Sequence, residues 1–168
     1  MKNLFLFLAF LTLVACQPKA EEGPDNAERV SKLYDAFAAG DMESVLASMD
    51  QGIQWSEAEN FIYDYGKPLV GTDAVVEGVF AKLGAEWEYW NLEDKNFENL
   101  GENKVLVTGR YKAKNKATGK ELDAQFAHVL TLKDTLVVNF QQYTDTKQAA
   151  EVVTMDMVEE DTMDEESN

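Results

Sequence analysis

Residues 122–145 contain the pattern that most restricts how this chain can fold. The segment reads LDAQFAHVLTLKDTLVVNFQQYTD, in which apolar runs at 126–132 and 136–140 flank a short polar stretch at 133–135. Both runs are rich in β-branched and aromatic residues and alternate with a period of two, which is typical of paired strands. The segment therefore predicts a β-hairpin with a three-residue loop.

That loop length sets a register for the hairpin. The register predicts three cross-strand pairs: Leu132 with Leu136, His128 with Phe140, and Phe126 with Gln142. One face then carries eight side chains, namely Phe126, His128, Leu130, Leu132, Leu136, Val138, Phe140 and Gln142. Because this face is apolar except for the chain's one histidine and a glutamine, it predicts the wall of a pocket with two polar groups.

The order of the remaining elements predicts the fold class. Helical periodicity begins at Asp25, resumes from Asp41 to Gly52, and returns from Thr72, as the N-cap, to Gly84. One short strand pattern lies at 53–56, between the second and third helices, and two longer ones lie at 86–100 and 105–114, before the hairpin. A polar, aromatic-rich loop lies at 57–68. Helices followed by a run of strands indicate an α+β fold. We expect a cone-shaped, curved antiparallel sheet wrapped around three N-terminal helices.

The N-terminal residues predict a lipoprotein. Residues 1–15 have the basic start and short apolar run of a signal peptide, and Leu13-Val14-Ala15-Cys16 matches the bacterial lipobox. Cys16 is therefore the predicted lipidation site, and residues 16–24 form a tether. The alternative is an ordinary signal peptide with a stray cysteine. Gln17 follows the cysteine instead of Asp, which favours the outer membrane of the bacterial cell envelope, on its periplasmic or external side.

The C-terminal residues indicate where the folded domain ends. Residues 154–168 hold seven acidic residues and no basic one, and their apolar residues are too few to make a core. This composition predicts a disordered acidic tail after a domain at 25–153.

The motif FAHVLTLKD…VNFQQYTDT resembles the last two strands of SnoaL-like proteins. These are ketosteroid-isomerase-related members of the nuclear transport factor 2-like superfamily, and the resemblance runs from about residue 26 to 153. It implies a cystatin-like α+β roll with a central pocket. Cyclases in the family use a histidine and an acid reaching inward from the last strands. His128 matches that histidine, but Gln142 stands where relatives often have an acid, and an amide cannot act as a general base.

Composition excludes several classes of function. The net charge of −16 argues against nucleic acid as a partner, because phosphate binding needs patches of Lys and Arg. One His and one Cys make a transition-metal site improbable. Motifs for nucleotide or other cofactors are absent from the sequence. We therefore expect no metal and no cofactor.

The sequence then leaves three hypotheses for function. The first is the binding of a small, mostly apolar or aromatic molecule in a pocket lined by Tyr34, Trp55, Tyr65, Trp87, Trp90, Phe126, Phe140 and Gln142. The second is an isomerase, cyclase or hydratase in which His128 is the general base, because its reference pKa lies near neutrality. The third is an interaction module, whose outer sheet face forms a homodimer or docks to another protein of the cell envelope. That face carries Ala127, Val129, Val137 and Tyr143.

Overall fold

The computed structural model describes residues 25–155, and the predicted signal peptide, lipidation site and tether, with nearly all of the predicted acidic tail, lie outside them. The helices are α1 (Asn26–Ala38), α2 (Met42–Ala47), α3 (Thr72–Val75), α4 (Ala81–Glu86) and α5 (Thr146–Val153), with a π-helical turn (Val76–Phe80) joining α3 to α4. The strands are β1 (Met49–Ser56), β2 (Leu69–Val70), β3 (Trp87–Asn99), β4 (Lys104–Asn115), β5 (Glu121–Lys133) and β6 (Leu136–Thr144). None of the described helices is long and apolar enough to cross a membrane.

The strands form one six-stranded sheet in the order β2-β1-β6-β5-β4-β3. Neighbouring strands are antiparallel except β1 and β6, which run parallel. The long strands β3 to β6 curve around α1 and the helical segment at 72–86, so the core lies between the helices and the inner sheet face. The predicted α+β class, with helices at the N-terminus and a curved sheet, is confirmed.

The first helix forms as its sequence predicts. Asp25 caps α1, since its carboxylate accepts a hydrogen bond from the backbone N–H of Glu28 at 2.8 Å. Val30, Leu33 and Tyr34 share one helix face and are buried against the sheet.

The second and third helices differ from the prediction at their ends. Helix α2 stops at Ala47, because Met49 begins β1 and buries its side chain there, so the predicted continuation to Gly52 is wrong. The N-cap of the third helix is Gly71 rather than Thr72, and the helix passes through Gly84 to end at Glu86.

The hairpin has a shorter turn than predicted. Asp134 and Thr135 alone form it, both with positive φ (49° and 81°), as a two-residue turn between right-twisted strands requires. A bulge in β6 then shifts the register, so that His128 lies opposite Gln142 and Leu130 opposite Phe140.

This shift changes which hairpin side chains face the core. Val137 is buried on the inner face, whereas Leu136 and Val138, predicted to lie there, are only half-buried. Val137 therefore does not belong to the outer face on which the sequence analysis placed it.

A second irregularity occurs at the start of β3. Strict alternation would place Trp87 and Trp90 on opposite faces, but the register slips between Trp87 and Tyr89. Both tryptophans consequently turn towards the core, with ring centroids 4.8 Å apart, and Tyr89 is left exposed.

The loop at 57–68, here called the cap loop, packs onto the end of the core. Ala58, Phe61 and Tyr63 are buried, although the sequence predicted only a polar, aromatic-rich loop here. The Tyr63 hydroxyl donates to Glu86 at 2.8 Å and accepts from the Trp87 indole N–H at 2.8 Å, which ties the loop to the end of α4 and the start of β3.

Candidate functional site

An apolar cavity lies between the inner sheet face, α1, the π-helical turn and the cap loop. Its volume is about 70 Å³, several times what one water molecule requires. Twenty side chains line it, and those that carry polar atoms able to meet a ligand are Tyr34, Trp55, Glu57, Tyr63, Trp90, Tyr111, His128 and Gln142. The half-buried Phe37, Phe80 and Leu83 lie on its helical side.

His128 is clamped between two tyrosines. The Tyr34 hydroxyl of α1 lies 2.5 Å from His128 Nδ1, and the Tyr111 hydroxyl of β4 lies 2.6 Å from Nε2. Phe126 stacks against the imidazole with ring centroids 4.3 Å apart. Burial lowers the pKa of His128 from 6.5 to about 3, so the ring is neutral.

Tyr34, His128 and Tyr111 form a chain of hydrogen bonds, here called the tyrosine–histidine relay. Counting its hydrogens shows what it can offer a ligand. A neutral imidazole has one N–H, so the two tyrosines and His128 hold three hydrogens for only two links. Either His128 donates to Tyr34, which leaves the Tyr34 hydrogen over, or it donates to Tyr111, which leaves the Tyr111 hydrogen over. Burial raises the pKa of both tyrosines, which keeps these hydrogens in place. The relay therefore always retains one donor hydrogen beside the cavity.

Gln142 joins this relay to the cap loop. Its Nε2 donates to the Tyr111 hydroxyl at 2.9 Å, and its Oε1 accepts from the backbone N–H of Ala58 at 3.3 Å. Gln142 also lies directly opposite His128 in the hairpin, but its amide contacts Tyr111 and not the imidazole. The glutamine thus fixes the positions of Tyr111 and the cap loop by donating to one and accepting from the other.

Glu57, the first residue of the cap loop, places a carboxyl group in the cavity wall. Its Oε1 accepts from the Trp55 indole N–H at 2.7 Å, whereas its Oε2 is fully buried and has no hydrogen-bond partner among the described residues. Burial, and to a smaller extent repulsion from Asp64, raises the pKa of Glu57 from 4.5 to about 7, although the Trp55 bond acts in the opposite direction. A buried carboxyl oxygen left without a donor is costly in a structure and marks a position where a ligand can supply one.

Aromatic rings form much of the remaining wall. Trp55 stacks on Phe140 at 3.6 Å between centroids, and the edge of Phe80 meets Trp55 at 5.6 Å. On the other side Trp90 contacts Tyr111 at 4.9 Å. The rings hold one another in fixed orientations, so the cavity is largely preformed.

The structure brings six of the predicted site residues together around this cavity, Tyr34, Trp55, Trp90, His128, Phe140 and Gln142. The other three lie outside the lining. Phe126 is behind His128, Trp87 is buried beneath the cap loop, and Tyr65 is 44% exposed with its hydroxyl donating to the Gly78 carbonyl.

Sequence analysis missed Glu57 and Tyr111. Glu57 was assigned to a polar loop, and only the chain path through 57–68 turns its carboxyl inward. Tyr111 had an available signal, because it lies in β4 two residues from Gly109 and Ala113, in the alternation that puts Val105 and Val107 in the core.

Metal binding has no support in the described part of the chain. No group of three or more His, Cys, Asp or Glu side chains there is arranged to hold an ion.

The fold and the cavity define the class of protein, a cone-shaped α+β domain with a central, mostly apolar site. A model of the SnoaL-like domain matches residues 30–140, and the chain belongs to this family. A search of curated proteins found no match.

Solved structures share the fold along nearly their whole length. An NTF2-like protein from Burkholderia thailandensis is 26% identical, with 78% of this chain and 98% of that chain covered and a TM-score of 0.72. TerC, co-crystallised with polyporic acid, is 23% identical, with 76% and 96% covered and a TM-score of 0.66. A proposed polyketide cyclase from Pseudomonas putida is 16% identical, with 79% and 100% covered and a TM-score of 0.65.

Proposed function

We propose that this domain binds a small, mostly apolar molecule in the central cavity. The observation that carries the proposal is the Glu57 carboxyl group in a mostly apolar and aromatic lining, with its buried Oε2 left without a hydrogen-bond partner among the described residues. Such a combination of apolar surface and a few converging polar groups is typical of small-molecule sites. The co-crystal of TerC with polyporic acid supports the proposal, because TerC has a similar fold.

The cavity volume limits the size of this molecule. A volume of about 70 Å³ is roughly half of the ~150 Å³ that admits benzene in an apolar protein cavity. A ligand with one ring therefore fits only when the half-buried side chains on the helical side, Phe37, Phe80 and Leu83, rotate outward. Rotamer changes of this kind are common on binding.

Tryptophan fluorescence tests the proposal, because Trp55 and Trp90 line the cavity. We expect saturable quenching when the domain is titrated with benzyl alcohol. Val79→Phe puts extra volume into the cavity and should abolish the saturation, whereas Val76→Phe, on the same helical turn but outside the lining, should retain it. Thermal melting checks that both variants fold. Linear quenching in the wild type up to the solubility of the probe, both for benzyl alcohol and for benzylamine as a second probe, would reject the binding function.

A second candidate is proton transfer, favoured by the same carboxyl group. With a pKa of about 7, Glu57 can take a proton from a carbon next to a ketone and return it to another carbon. The donor hydrogen left over in the tyrosine–histidine relay would bond to the enolate oxygen formed in between. His128 is a poorer base, because both of its ring nitrogens are bonded to tyrosines and its pKa is about 3.

Turnover of an enolisable ketone separates this candidate from simple binding. Solvent deuterium should enter such a ketone in the presence of the wild type and of Glu59→Gln, a change at an exposed neighbour. Glu57→Gln should lose at least about a hundredfold in rate, as is usual when a general base is removed. Saturable binding of the ketone without deuterium exchange would rule out proton transfer and leave ligand binding as the only function.

We also propose that the protein is exported and anchored in the bacterial outer membrane through lipid on Cys16. The lipobox sequence Leu13-Val14-Ala15-Cys16 supports this. Labelled palmitate should enter the wild type and not Cys16→Ala. Equal labelling of the two proteins would contradict it.

A further inference from the structure

We infer that the cavity selects organic cations, and that its ligand is a small protonated amine with an apolar body. The inference rests on the proposed binding function and adds the charge of the ligand to it. Three properties of the cavity point to a positively charged ligand. They are the charge of the side chains in its wall, the carboxyl oxygen of Glu57 that lacks a hydrogen-bond partner, and the aromatic rings in the lining.

The first property is the sign of the charge in the wall. Among the described residues that line the cavity, none is Lys or Arg, and the titratable groups other than tyrosines are Glu57 and His128. His128 has both ring nitrogens engaged and is neutral. The single ion that the cavity can carry is therefore the Glu57 carboxylate, and an anionic ligand would find no counter-charge there.

The second property is the hydrogen bond that Glu57 lacks. The Trp55 indole N–H fixes Oε1 and so fixes the orientation of the whole carboxyl group, while Oε2 is buried and has no hydrogen-bond partner among the described residues. An ammonium group supplies both the missing donor and the opposite charge, which together offset the desolvation of the carboxylate. A neutral hydroxyl supplies only the donor.

The third property is the set of rings in the lining. Trp55, Phe61, Trp90 and Tyr111 line the same cavity as Glu57, and aromatic faces attract cations through their quadrupoles. The net charge of −16 adds a long-range field that draws cations towards the protein.

The charged and titratable groups near Glu57 do not cancel this preference. Asp64 and Tyr63 belong to the same cap loop, and Asp64 adds negative potential. Tyr111 from β4 and His128 from β5 are neutral when buried. Glu86 of α4 bonds to the Tyr63 hydroxyl, and Lys82 lies over the rings of Tyr63 and Tyr65 and is not part of the lining.

Three probes of nearly equal shape test the inference: benzylamine, benzyl alcohol and benzoate. At pH 8, tryptophan quenching should give a dissociation constant for benzylamine about tenfold or more below that for benzyl alcohol, and no saturable binding of benzoate. Glu57→Gln should remove the advantage of benzylamine over benzyl alcohol. Glu59→Gln, at an exposed position, is the matched control and should change neither value.

The pH dependence gives a second readout on the unchanged protein. Benzylamine remains protonated between pH 5.5 and 8, so only the protein titrates in this range. Its affinity should weaken by up to about tenfold per pH unit below pH 7, as protonation of Glu57 competes with the ligand. The affinity for benzyl alcohol should not show this slope.

The outcomes separate this inference from the function on which it rests. If none of the three probes binds saturably, the binding function itself is wrong. If benzyl alcohol binds and benzylamine binds no more tightly, the cavity takes small molecules without regard to charge and the inference is overturned. Saturable binding of benzoate would overturn it as well.

Discussion

Both ring nitrogens of His128 are used within the protein, and this decides what the residue can do. The bonds to Tyr34 and Tyr111 come from α1 and β4, two elements far apart in the sequence, so the imidazole joins a helix to the sheet. Its environment is apolar on the remaining side, where Phe126 stacks on it. A structural and orienting role follows directly from these contacts.

The first prediction for a single residue concerns the titration of His128. The folded pKa of about 3 lies below the unfolded value, so the stability from neutral His128 is fully present above pH 6.5 and declines as the pH falls towards 3. Gln142→Glu places a carboxylate opposite the ring and should raise the pKa of His128, because it favours the imidazolium. NMR of the imidazole C–H signals measures both proteins. A wild-type midpoint near 6.5 that does not respond to the substitution would place His128 in contact with solvent.

His128 and Gln142 could be predicted as site residues, because an apolar strand face interrupted by two polar residues can be recognised in the amino-acid sequence. Sequence reasoning could not find that the acid of the site is Glu57. The residue lies in an irregular loop, where no periodicity tells which side chains point inward.

The hairpin shows what alternation can and cannot predict at the level of an element. Both strands were recognisable from their apolar runs, but the insertion of one extra residue in β6 is not encoded in a pattern of period two. The turn residues are poor guides too, since Thr135 has a φ of 81° that a β-branched residue rarely adopts.

That strained turn gives a prediction for stability. Thr135→Gly should stabilise the domain by about 1 kcal/mol, because glycine adopts positive φ without steric cost and Asp-Gly suits this two-residue turn. Thr131→Gly, within strand β5, is the control and should destabilise instead. Urea unfolding of the three proteins gives the comparison. A loss of stability in Thr135→Gly would show that the threonine side chain makes contacts that outweigh its backbone strain.

The arrangement of helices and sheet was predictable for the whole molecule, because the order of helical and strand periodicities is not changed by local errors at the ends of elements. Only one wall of the cavity, the inner face of the hairpin, was predictable from the sequence. The closure of the cavity depends on the cap loop, on the slip in β3 that turns Trp90 inward, and on the π-helical turn beside it. These are irregular features, and each arises from packing between segments distant in sequence.

Dimerisation through the outer sheet face remains a prediction for the whole molecule. Tyr143 is 55% exposed there, and Ala127 and Val129 lie half-buried beside it. Val129→Lys puts a charge in the middle of this face and should dissociate a dimer, since an unpaired charge in an interface core is costly. Light scattering at micromolar concentration reports the mass. A wild-type monomer under these conditions would reject the dimer.

The central claim is that the Glu57 carboxyl group lies inside the cavity and is its one ionisable polar group open to a ligand. Its raised pKa means that Glu57 stabilises the fold relative to unfolded chain below pH 4.5, and that this contribution is lost as the pH rises through 7. Glu57→Gln should therefore leave stability unchanged near pH 4.5 and increase it by a few kcal/mol at pH 8.

Carbon-13 NMR of the glutamate side-chain carboxyl groups tests the claim most directly, with Glu57→Gln identifying the signal and Glu59→Gln as the control. We predict one carboxyl titrating with a midpoint of about 7, absent from Glu57→Gln and present in Glu59→Gln. The midpoint should fall when benzylamine is added. A Glu57 signal that titrates near 4.5 and ignores the probe would mean that the carboxyl group faces solvent, and would contradict the account.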